Sequence, residues 1–185
     1  MRSAALLLLS SFVVGPAAAQ PVTFVLDPDS TFVHFEIVHF NTSTIRGRFG
    51  PVSGTVMLDR SAHRGELSLR LPTASVSTGV PVFDARIRQP DLLACEAFPE
   101  AYFVATRFSF KGDEPVELRG EFTLRGVSQP LSLRALHYAC RSEGTVEVCG
   151  GDFEAEFKRS EFGATFGLPF VADRVRLRVQ VQGRH

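Results

Sequence analysis

Two polar residues interrupt apolar alternation, and their types and positions are the chain's clearest candidates for chemistry. In STFVHFEIVHFNTSTIRGRFG, residues 30–50, Val33, Phe35 and Ile37 share one face of a strand, and His39 follows on that face next to a turn. In FEAEFKRSEFG, residues 153–163, Phe153, Ala155 and Phe157 are followed at the same parity by Arg159. An imidazole can act as a general base, and a guanidinium can stabilise an anion. An unpaired charge in an apolar interior is very costly, so Arg159 needs acceptors. The candidates are a carboxylate such as Asp84, a backbone carbonyl, or the polar head of a ligand. A neighbouring hydroxyl or the same ligand head would serve His39.

Nothing else in the chain assembles a catalytic set. His34, His39, His63, His137 and His185 are scattered, with no pair at helical ligand spacing and no Cys-x-x-Cys. A metal site uniting His39, His137 and Cys140 has no spacing to support it. A Gly-x-Ser-x-Gly elbow and a phosphate loop are both absent. The expectation is therefore no metal, no cofactor and no enzyme, with an enzyme acting on an apolar substrate through His39 and Arg159 as an alternative.

The elements that position these residues are strands. Period-two alternation predicts strands at 22–26, 32–40, 45–58 with a bend near Gly50-Pro51, 66–71, 102–110, 116–124, 131–138, 153–158 and 174–182. In VELRGEFTLRG, Val116, Leu118, Phe122 and Leu124 take one face while Glu117, Arg119, Glu121 and Arg125 take the other. About eight amphipathic strands predict an all-β fold, an antiparallel barrel or sandwich, and closure hides strand edges best. VFDARIRQPDLLACEAFP breaks the pattern: Phe83, Ile87, Leu92 and Leu93 stand at helical spacing, with Asp84 and Asp91 as candidate caps. One or two helical turns are expected there, crossing one end of the barrel.

The chain has 17 Phe and no Trp, and Phe24, Phe35, Phe108, Phe110, Phe122, Phe153 and Phe157 all fall on inward parity. A barrel of this size is filled by side chains or holds one small ligand, and composition does not choose between them. At the N-terminus, Arg2, an apolar run from Ala4 to Val14 and the triplet Ala17-Ala18-Ala19 read as an export signal cleaved after Ala19. The mature part, 20–185, is then one domain in a periplasmic or secreted setting, without a second apolar run of membrane-spanning length. Its charges are interleaved and nearly balanced, which gives nucleic acid no basic patch to bind. In an oxidising space Cys140 and Cys149 are candidate disulfide partners across a hairpin or loop, and Cys95 is left over as a small buried apolar residue or a free thiol.

Four stretches in order resemble the YceI-like family of bacterial exported lipid-binding proteins. They are LDPDSTFVHFEIVHFNTSTIRGRFGPVSGTVMLD, FDARIRQPDLLACEAFPEAYFVATRF, LRGEFTLRGVSQPLSL and FEAEFKRSEFG, whose Arg-Ser-x-Phe-Gly is the most distinctive. The resemblance implies an extended lipocalin-like antiparallel β-barrel around a long apolar ligand, such as a polyisoprenoid, an isoprenoid quinone or a fatty-acid-like amide. On that reading Phe24, Phe35, Ile37, Phe108, Phe122, Phe153 and Phe157 line the tunnel, and His39, Asp84, Arg86 and Arg159 contact the head or the mouth. Two features depart from the family: Arg86 stands where the crossing usually has a histidine, and CRSEGTVEVC is not a family hallmark. A filled barrel serving as a stress-related interaction domain is the alternative, and a homodimer is left open.

Overall fold

The computed structural model describes residues 20–185, so the expected export signal and its cleavage after Ala19 lie outside the described residues. Among those residues ten strands form one antiparallel sheet: β1 (Val22–Leu26), β2 (Phe32–His39), β3 (Ser43–Phe49), β4 (Ser53–Asp59), β5 (Arg64–Pro72), β6 (Glu100–Lys111), β7 (Glu114–Leu124), β8 (Val127–Glu143), β9 (Val146–Lys158) and β10 (Val171–Arg184). β10 pairs with β9 along one edge; along the other it pairs with β2 up to Gln180 and with β1 at Gly183 and Arg184. β1 and β2 therefore act as one interrupted stave, as do β3 and β4 on either side of Gly50-Pro51. The ten strands make eight staves, and the β1–β10 pairing closes them into a barrel. The expected bend in the 45–58 strand is this interruption.

Alternation decides which side each residue takes. In β10, Val175, Leu177 and Val179 are buried, while Arg174, Arg176 and Arg178 point outward. On the outside these arginines meet acids on neighbouring strands: Arg174 and Arg176 reach Glu156 at 2.7 and 3.1 Å, and Arg178 reaches Glu154 at 3.2 Å. Exposed pairs of this kind contribute about 0.2–1 kcal/mol each, so they fix cross-strand register more than they fix stability. The Arg-Gly-x-Phe element has a steric reason. Gly47 lies opposite Phe35, and a Cβ there would sit 2.5 Å from the Phe35 ring and 2.9 Å from the Ser77 carbonyl oxygen.

The 81–98 segment crosses one end of the barrel and opens with α1 (Pro81–Ile87). The expected caps are not caps: Val80 is the N-cap residue and makes no side-chain capping bond. Asp84 instead accepts from the Thr78 N–H at 2.6 Å and the Thr78 hydroxyl at 2.7 Å, and Asp91 pairs with Arg86. At the opposite end CRSEGTVEVC is no irregular insertion. It extends β8 and β9 into a long hairpin, beyond the strands expected at 131–138 and 153–158, with Cys140 and Cys149 directly paired and joined as a disulfide. Cys95 is free and buried in the crossing segment.

The disulfide spans nine residues, so replacing both cysteines by alanine should cost about 2–3 kcal/mol in the chain-entropy account. Urea unfolding of the oxidised protein and the double variant checks this.

Candidate functional site

The barrel interior is divided along its length. At the end carrying the β8–β9 turn, Phe24, Leu58, Phe108, Phe153, Tyr138 and Cys149 pack around a remnant void of only about 40 Å³. Towards the other end the wall opens into a chamber of about 310 Å³. Its wall is built from alternate residues of the strands, among them Phe35, Ile37, Ile45, Phe49, Leu69, Leu71, Phe103, Phe122, Leu131, Leu133, Phe157 and Leu177. Phe83, Ile87, Leu92 and Leu93 of the crossing segment roof it. Phe122, Phe157 and Phe162 meet edge to face with ring centroids 5.3 Å apart, a rigid aromatic corner under that roof.

The polar lining gathers at the mouth. His39, Arg86 and Arg159 all border the chamber. Arg159 is 5% exposed, and its guanidinium donates to four backbone carbonyls: Ala172 at 2.9 Å, Ala164 at 2.6 Å, Phe166 at 2.8 Å and Val171 at 2.8 Å. Of the acceptors open to it from sequence, backbone carbonyls are the ones it takes. Burial pushes this guanidinium below its ordinary value, and the Asp173 carboxylate opposes that shift. With five N–H groups and four bonds to protein, one N–H is left without a partner among the described residues.

His39 ends β2 beside Val171 and is half-buried, with its ring 4.5 Å from that of Phe40. Among the described residues its imidazole has no hydrogen-bond partner. Arg86 forms a fork with Asp91 at 2.8 and 2.6 Å and lies 3.7 Å over the Phe166 ring. Asp91 raises the pKa of Arg86 through that bond. Two further arginines work as Arg159 does. Arg88 donates to the Ala74 and Val76 carbonyls, and Arg125 to those of Pro90, Leu92 and Phe162.

The structure thus brings Phe35, Ile37, His39, Arg86, Phe122, Phe157 and Arg159 around one chamber. Phe24, Phe108 and Phe153 lie at the packed end instead, because inward parity holds along the whole barrel while the hollow occupies only part of it. Asp84 stands outside the wall, held to Thr78, whose hydroxyl and amide keep its carboxyl below the ordinary range. Sequence reasoning missed Phe166 as a mouth residue and Arg88 and Arg125 as clamps; the alternation that would signal them is lost in turns. His39, at the mouth, and Cys140, at the far end, are not brought together. Among the described residues the grouping of potential metal ligands is Cys140, Glu147 and Cys149, whose sulfurs are already bonded to each other and face Arg60 at 3.3 and 3.2 Å.

A closed antiparallel barrel with an apolar chamber open at one end belongs to the lipocalin-like class of barrels. Within that class the assignment is specific: the YceI-like domain model matches residues 24–183, and the chain belongs to the YceI-like family. A UPF0312 protein of Shewanella sp. (strain MR-7) is 31% identical, over 95% of this chain and 94% of its own. Protein YceI of Salmonella newport is 30% identical, over 93% and 91%. Among solved structures, BcnA of Burkholderia cenocepacia shares the fold with a TM-score of 0.70 at 19% identity, over 85% of this chain and 98% of that one. A polyisoprenoid-binding domain from Saccharophagus degradans, implicated in plant cell wall breakdown, shares it at a TM-score of 0.63 and 18% identity, over 86% and 97%.

Removing Arg159 would leave four carbonyls without their donor. Arg159→Ala should therefore destabilise by about 3–5 kcal/mol, lowering Tm by about 10 °C for a chain of this size. Arg159→Lys should recover little, because an ammonium cannot span the same four acceptors. Thermal unfolding of the three proteins checks both. Asp84 gives a pH test: its stabilisation is present above the ordinary carboxyl pKa and lost as pH falls through the lowered one. Protection factors of the amides at 78 and 82–84 should fall across that window, and fall less in Thr78→Val, which keeps only the backbone bond to Asp84.

Proposed function

We propose that the protein holds one long-chain lipid of the isoprenoid class, its chain in the chamber and its polar head at the mouth. The observation that carries this reading is the chamber itself. An apolar chamber of about 310 Å³ denies its lining the contacts that fill the other end of the barrel. A hollow of this kind, beside a stretch packed nearly solid, is explained by an occupant. Burial of apolar surface drives binding at about 25 cal/mol per Å², and water bound in so apolar a chamber would find few partners.

His39 and the remaining Arg159 N–H supply the head contacts, with Arg86 closing the mouth above Phe166. A weakly polar head such as a quinone carbonyl, an amide or an alcohol suits one unpartnered imidazole and one free N–H. Phe35, Ile37, Phe122 and Phe157 grip the chain, while Phe24, Phe108 and Phe153 form the floor that sets how far it enters. The polyisoprenoid-binding description of the Saccharophagus degradans domain supports the ligand class. The disulfide supports an exported setting, periplasmic or secreted. Binding rather than catalysis fits this mouth best, since Arg159 is engaged mainly by backbone carbonyls and His39 has no group among the described residues that would orient it as a base.

Organic extracts of gently purified protein, examined by mass spectrometry, should contain a stoichiometric long-chain lipid. Phe122→Glu, which puts a charge in the aromatic corner, and Ile45→Trp, which fills the chamber from a half-buried position, should both lose it while circular dichroism stays unchanged. Retention of lipid in a well-folded Ile45→Trp protein, or a clean extract from the unaltered one, would sink this reading.

A further inference from the structure

The mouth carries a second apolar surface, on its outside. Phe40, Phe83, Phe166 and Phe170 are 56%, 43%, 50% and 62% exposed, whereas every other phenylalanine among the described residues is buried or half-buried. They belong to one rim. Phe40 stacks on Phe170 at 5.6 Å and meets the His39 ring edge-on; Phe166 lies under Arg86, one turn along α1 from Phe83. Phe83, Phe166 and His39 also border the chamber, so the apolar surface runs from the outside into the interior without a break.

Phe40 shows that the rim is not an accident of packing. It sits at φ 50° in the β2–β3 turn, a left-handed conformation that costs a non-glycine residue about 1–2 kcal/mol. Arg125 sits at φ 53° in the β7–β8 turn, but there the side chain answers for itself with three carbonyls. The β2–β3 turn asks for positive φ at Phe40 and at Asn41, which sits at φ 54°, a demand that glycine or asparagine meets at least cost. Phenylalanine at the first of these positions puts a ring on the rim that rests on His39 and Phe170 and is more than half exposed.

We infer that this rim docks the mouth onto a lipid bilayer, inserting Phe40, Phe166 and Phe170 so that the chain passes between membrane and chamber without crossing water. Continuity favours a bilayer over a second copy of the chain: Phe83 and Phe166 belong to the rim and to the chamber wall alike, so a bilayer against the rim offers a lipid chain an apolar path into the chamber. Insertion needs no matching surface on a partner, and exposed aromatic rings suit the membrane–water boundary. The two arginines that border the chamber at this end are engaged within the protein, Arg86 by Asp91 and Arg159 by backbone carbonyls. The purpose of the docking rests on the chamber being a lipid site; its detection does not.

The chain lacks tryptophan, so a single indole reports on its own position. Phe170→Trp on the rim and Val146→Trp beside the far turn would each be mixed with phosphatidylcholine vesicles carrying brominated acyl chains. The rim indole should shift to the blue and be quenched, while the far one should do neither. Phe40→Gly should keep or raise thermal stability, because it relieves the turn, yet weaken vesicle binding about tenfold. No quenching at position 170, or equal quenching at both positions, would overturn the inference. So would a blue shift that grows with protein concentration in the absence of vesicles, which would identify a second copy as the occupant. A protein that yields lipid on extraction but is not quenched loses this inference alone; one that is quenched but yields a clean extract loses only the carrier reading.

Discussion

The constraint on which the open end depends is the hydrogen-bonding demand of backbone that is neither helix nor strand. A barrel satisfies its own peptide groups wherever staves run side by side, but a mouth built of turns leaves carbonyls facing inward. Here three arginines meet that demand. Arg88 binds the 73–76 turn to the crossing segment, Arg125 joins the crossing segment to the 159–162 turn, and Arg159 gathers the 164–172 loop onto the end of β9. Guanidinium suits the task because its donors are fixed in one plane and its charge persists when partly buried. The mouth is therefore held open by polar bonds rather than by a packed core, and this lets a hollow exist behind it.

That division of labour runs along the barrel axis. Aromatic and aliphatic packing, with the Cys140–Cys149 disulfide, closes one end. The other end gives up packing and is braced from above by the roof segment and from the side by the arginine clamps. Stability and function thus draw on different stretches of the same staves, and β10 contributes Val181 and Gly183 to the first and Val175 and Leu177 to the second.

Most of this was legible in residue order because alternation is a strong signal. The parity of Val175, Leu177 and Val179, or of Phe35 and Ile37, assigns each side chain to the inside without reference to any partner. What parity cannot give is depth. Phe24 and Phe122 look alike in sequence, yet one belongs to the floor and the other to the chamber wall, since depth follows from stagger between distant strands. Turns are harder still. Arg125 and Phe40 occupy left-handed positions that favour glycine or asparagine, so local preference argues against the residues that are there. His39 and Arg159 were visible because each broke a pattern, and the pattern's break marked the mouth while leaving open whether protein or ligand would satisfy them. For Arg159 four protein carbonyls do so, and its position is explained largely by architecture.

The β2–β3 hairpin makes the barrel's girth unequal in strength around its circumference. Elsewhere neighbouring staves are zipped by long ladders, but β3 is tied to the segment beyond β5 by the Arg48–Ser77 bridge, with N–H to O distances of 2.8 and 2.9 Å. Parting that seam breaks two backbone bonds, where parting any other breaks a whole row. Ile45 and Phe49 on one lip and Thr73 on the other both face the chamber. The barrel is thus a hoop with one thin join, and its wall is weakest where it borders the chamber rather than where it is packed.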